Sequence, residues 1–78
     1  MKVGMLWFDD ADCALADKVA RAAAHYAQKH GRAPTACYVH PSALDGLAAP
    51  DELRVDDVVV RPARTVPPNH LWIGVDEA

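Results

Sequence analysis

Residues 2–40 read KVGMLWFDDADCALADKVARAAAHYAQKHGRAPTACYVH, and their order of apolar run, helical pattern and second apolar run decides the fold class. From Val3 to Phe8 every residue except Gly4 is apolar. In a strand over residues 2–8, Val3, Met5 and Trp7 share one face and Leu6 and Phe8 the other. Apolar residues on both faces predict a central strand, covered on both sides or covered on one side by a partner. Gly4 leaves room for a close approach.

Residues 12–30 carry the helical signal. Leu15, Val19, Ala22, Ala23 and Tyr26 recur at helical spacing, while Asp17, Lys18, Arg21, His25, Gln28 and Lys29 fall largely on the other side. The alanines between Ala14 and Ala27 favour helix and let it sit close to a sheet. An Asp at the start, basic residues in the last turn, Gly31 as the C′ residue and Pro34 beyond it give consistent start and stop signals. TACYVH, residues 35–40, reads as the second strand, so strand, helix and strand make a βαβ unit with parallel strands.

Beyond Pro41 the chain reads as a connection to residue 54, with a short helical turn at 42–47 and another near 51–53. VDDVVVR, residues 55–61, is the third predicted strand. Pro62, Pro67 and Pro68 mark a loop, since proline cannot donate to a ladder. HLWIGV, residues 70–75, is the fourth. The expected fold is therefore a single α/β domain over residues 1–78. It has two layers, in β-α-β-β-β order: a small mixed four-stranded sheet carries one main helix, and the βαβ unit is followed by an antiparallel hairpin of strands three and four. One helix covers one face only. The first and fourth strands carry bulky residues on both sides, Trp7, Phe8 and Trp72 among them, so the uncovered face is expected to meet a partner, and a second copy of the chain is the simplest one; an exposed Trp72 would mark its side as that interface.

Composition narrows the function classes. The chain is 51 % hydrophobic and 24 % charged, as globular domains are, with a formal charge of −3. That charge argues against a general grip on nucleic acid or on an anionic membrane. There is no apolar run of about 18 residues to span a bilayer and no secretory leader pattern. The expected address is the cytoplasm, and the alanine bias suggests a bacterial one. In that reducing compartment Cys13 and Cys37 are free thiols, too few and wrongly spaced for a scaffold or a structural zinc. P-loop, GxGxxG, HExxH and GxSxG patterns do not occur.

Four constellations could carry chemistry. Asp9 and Asp10 end the first strand and His40 ends the second, at the sheet edge where α/β proteins place ligands. Two carboxylates and an imidazole there could hold Mg²⁺ or Mn²⁺ for a phosphoesterase or nuclease. The competing reading, that Asp9, Asp10 and Asp12 merely cap the helix, carries more weight, because no lysine, third distant acid or glycine-rich loop accompanies them. Cys13 at the helix start, with His40 as base, is a weaker catalytic candidate, since three aspartates disfavour a thiolate. His25 and His30 are five apart and do not share a helix face as a metal pair would. Arg54, Arg61, Arg64 and His70 form a basic group around the third strand and the proline loop. With an exposed aromatic, Arg61, Arg64 and His70 could meet a single-stranded base or phosphate, although the acids at 51, 52, 56 and 57 dilute that field. The leading expectation is a non-catalytic binding module, self-associating or meeting another protein, with no cofactor and with Trp72, Arg61, Arg64 and His70 as its partner-binding residues.

Overall fold

The computed structural model describes residues 4–10, 13–44, 54–55 and 57–75. Its elements in order are β1 (Gly4–Phe8), α1 (Leu15–His30), β2 (Ala36–Val39), a 3₁₀ turn (Pro41–Leu44), β3 (Arg54–Val55), β4 (Val58–Pro62) and β5 (His70–Gly74). The five strands form one mixed sheet in the order β1-β5-β2-β4-β3, with α1 packed on one face. The two-layer α/β class is thus the expected one. None of the described helices is long and apolar enough to cross a membrane.

Alternation sorts the side chains. Cys37 and Val39 of β2, Val58 and Val60 of β4, and Leu71 and Ile73 of β5 face Val19, Ala22 and Tyr26 of α1, and Leu44 closes the end of this core. Met5 and Trp7 pack against it from β1, whereas Leu6 and Phe8 are exposed on the other face. The small Ala22 lets α1 lie close to the sheet. The helix stops at Gly31, whose φ of 74° is left-handed and whose N–H donates to the carbonyl of Ala27 at 2.8 Å.

Four expectations are corrected. First, the sheet has five strands. The predicted third strand is split, because Asp57 lies in a turn that folds β3 back on β4, with Val55 opposite Val58. Second, β4 and β5 are not a hairpin. β2 lies between them, parallel to β4 and antiparallel to β5. Residues 63–69 hold Pro67 and Pro68, which suit a long crossing connection and not a tight hairpin turn. Third, β1 is not central. β5 inserts between β1 and β2, antiparallel to both, so the strands of the predicted βαβ unit run parallel without touching. Fourth, α1 starts at Leu15, and its N-cap is Ala14, which makes no side-chain cap bond. Asp17 is the acid in its first turn. Of the two predicted helical turns, the first is the 3₁₀ segment at Pro41–Leu44. The second, near 51–53, lies outside the described residues, as does Asp12.

Gly4 has a packing role. A methyl group placed on it would lie 2.8 Å from Cε2 and 2.9 Å from Cζ2 of Trp72, so the indole occupies the space above the glycine. Gly4→Ala is expected to cost about 1–3 kcal/mol through displacement of that ring. Urea denaturation, together with a shift in tryptophan emission, measures it.

Candidate functional site

At the sheet edge singled out in the sequence, the structure brings together a different set of residues. A cavity of about 220 Å³ opens where β1 and β2 end and β5 begins, beside the start of α1. Its polar lining is Asp9, Cys13, Lys18, Ser42, Asn69 and His70. Asp9 is buried there; its backbone N–H donates to the carbonyl of Asn69 at 2.9 Å. Arg21, one turn along α1 from Lys18, places a guanidinium nitrogen 3.7 Å from the Asp9 carboxylate and donates to the Cys13 sulfur at 2.7 Å. With Arg21 half exposed, solvent screens the ion pair, which contributes at most about 1 kcal/mol.

The two histidines at this edge are set differently. His40 Nδ1 accepts the backbone N–H of Ser42 at 3.1 Å and meets the Ser42 hydroxyl at 2.8 Å. Its ring proton therefore sits on Nε2 in the neutral form. His70 Nδ1 lies 2.9 Å from the carbonyl of Pro68, so it carries the proton, and Nε2 is left as an acceptor. His70, not His40, lines the cavity with Asp9. Asp10 is exposed and does not line it. Cys13 finds Arg21 as its hydrogen-bond partner, not His40. Among the described residues no three His, Cys, Asp or Glu side chains are placed to hold a metal ion. Lys18, Ser42 and Asn69 were missed by sequence reasoning. Asn69 alone carried a signal: after Pro67 and Pro68 it is a residue suited to the left-handed turn it adopts, at φ 64°.

Cys37 lies in the core, and burial pushes its thiol up to about 12. In the unfolded chain the thiol ionises near its ordinary value of 9.0, so between about pH 9 and 12 the unfolded state loses a proton that the folded state keeps. Its contribution is fully present below pH 9 and is lost as pH rises toward 12. The unfolding free energy of the native chain should therefore fall more steeply across that window than that of Cys37→Ala, measured by urea titration at each pH. Alkylation at neutral pH should modify the half-buried Cys13 and spare Cys37.

The helix-free face holds a second candidate region. Strand register sets Leu6 opposite Trp72, Trp72 opposite Tyr38, and Tyr38 opposite Arg61, making a row across four strands. Residues 63–67 lie against part of this row, with Val66 buried. A cavity of about 430 Å³ lies between, lined by Leu6, Tyr38, Thr65, Val66, Pro67 and Trp72. In the next row Phe8 faces His70, their rings 5.0 Å apart. Leu6 and Phe8 are 51 % and 57 % exposed, the large apolar side chains left most open to water among the described residues. Arg61 and Arg64 are exposed, and Trp72 and Tyr38 half-buried. The remaining histidines are also ring-stacked, His25 on Trp7 and His30 on Tyr26.

Comparison with family models, curated proteins and solved structures yields no match to this chain.

Proposed function

We propose that this protein is a non-catalytic binding module that acts as a homodimer, using the helix-free side of its sheet. The observation that supports this most is the pair Leu6 and Phe8, exposed next to Trp72 and His70 on the face opposite α1, which no described helix covers. Water contact with such a patch is unfavourable by about 25 cal/mol per Å² of apolar surface, and a partner removes it. Sedimentation equilibrium over the micromolar range tests the reading. The expected result is a mass that rises with concentration toward twice the chain mass; a constant monomer mass overturns it.

A second reading is favoured by one arrangement, the row Trp72–Tyr38–Arg61, which sets two aromatic rings beside a guanidinium as single-stranded nucleic-acid platforms do. It requires binding of a single-stranded oligonucleotide that weakens with salt and is reduced in Arg61→Ala. The net charge of −3 works against it, which is why self-association is placed first.

A further inference from the structure

The two edges of the sheet are unlike. β3, at one edge, is two residues long and carries the exposed Arg54. Short, charged edges resist pairing. β1, at the other edge, runs five residues, GMLWF, without a charge or a proline. Among the described residues it pairs with β5 alone. Such an edge is a template for another strand.

We propose that the second copy adds at this edge: β1 pairs antiparallel with β1 of the partner copy, Leu6 on the two-fold axis, joining two five-stranded sheets into one of ten. This rests on the self-association part of that reading and places the contact at the β1 edge, where Leu6 and Phe8 of the open side meet the other copy, and not over the whole open face.

Three observations select the arrangement. Directly opposed residues must share a face, so a two-fold axis normal to the sheet passes through a residue facing itself. Centring on Leu6 is the register that pairs all of Gly4–Phe8. It sets Met5 against Trp7 of the other copy on the helix side, and Gly4 against the other copy's Phe8 on the open side. The second pairing is a steric fit. Gly4 offers no side chain, and the Trp72 indole already lies over it, so the incoming Phe8 ring meets an aromatic surface in place of water. Charge agrees with the direction. Asp9 and Asp10 directly follow the strand. Parallel copies would bring these acids of one copy beside those of the other, whereas antiparallel copies set the two acidic ends apart.

Cysteine cross-linking tests the register in a Cys13→Ser background, Cys37 being shielded in the core. Residues opposed across antiparallel strands have Cα atoms about 4.5–5.5 Å apart, inside the range a disulfide spans. Leu6→Cys should therefore oxidise readily to a covalent dimer. Phe8→Cys should not, because the two copies of residue 8 sit four residue steps apart along the strands, about 14 Å. The expected result is a cross-linking rate at least about tenfold higher at position 6 than at position 8. Sedimentation of the unsubstituted protein runs beside it. A dimer in which position 6 cross-links no faster than position 8 overturns the edge pairing and leaves the self-association reading standing. A monomer overturns both.

Discussion

Ile73→Ala is expected to remove about 3 kcal/mol of folding free energy, within the range for burying and then deleting a large aliphatic side chain. Ile73 is fully buried at the middle of the sheet, opposite Met5 on β1 and Cys37 on β2. β5 is the strand that joins β1 to the rest, so a void at Ile73 opens against both neighbours and against α1. Of its two cross-strand neighbours, Cys37 is too small to fill the void and the flexible Met5, only partly buried, can fill it in part. A chain of this size has about 4–12 kcal/mol of stability in all, so the variant keeps about 1–9 kcal/mol and still folds. The melting temperature should fall by about 12–24 °C, at about 4–8 °C per kcal/mol. Ile73→Val, which removes one methylene, should cost about 0.5–1.5 kcal/mol. Equal losses for the two variants, measured by urea denaturation, would show that β5 is not the centre of this core.

That central place of β5 was the feature least legible in the sequence. α1 could be read residue by residue, since helical periodicity, the alanines and Gly31 are all local signals. The sorting of β1 could be read as well: Met5 and Trp7 on one face, Leu6 and Phe8 on the other follow from alternation, although which face meets α1 does not. Strand order is different in kind. It is fixed by which long-range pairing buries most, and HLWIGV fits between β1 and β2 only once α1 has set those two strands apart. The prolines at 62, 67 and 68 did carry the information that residues 55–61 and 70–75 could not close a tight hairpin. The split at Asp57 was also written in the sequence, as an acidic pair interrupting a valine run.

The same distinction separates what was and was not legible in the site. Asp9 at the end of β1, beside the start of α1, is local and was found. His70 joins it because β5 lies against β1, with Phe8 opposite His70, and no local pattern says so. His40 faces elsewhere for a short-range reason: two residues on, the Ser42 N–H and hydroxyl take its Nδ1. The buried character of Asp9 and the exposure of Asp10, adjacent in sequence, again follow from the tertiary setting of a strand end.

Leu6→Lys is expected to leave the fold intact and weaken self-association by at least about 100-fold, which corresponds to about 2.7 kcal/mol. Two effects act together. The substitution removes an apolar contact at the centre of the proposed interface. It also sets two ammonium groups opposite each other on the two-fold axis, where like charges on facing strands repel. A lysine on an edge strand is also the device by which natural sheets keep their edges apart. The cost to folding should be small, about 0.5 kcal/mol, because the side chain is half exposed and its stem can lie along the sheet surface. Circular dichroism and thermal melting report the fold; sedimentation equilibrium reports the association. Val59→Lys separates edge from face: Val59 lies on β4, half-buried, two positions from β5 and three from β1 in the sheet order. If Val59→Lys dissociates the protein as effectively as Leu6→Lys, the contact lies over the open face. If Leu6→Lys alone dissociates it, the contact lies at the β1 side of the sheet, and preferential cross-linking at position 6 over position 8 then assigns it to the edge.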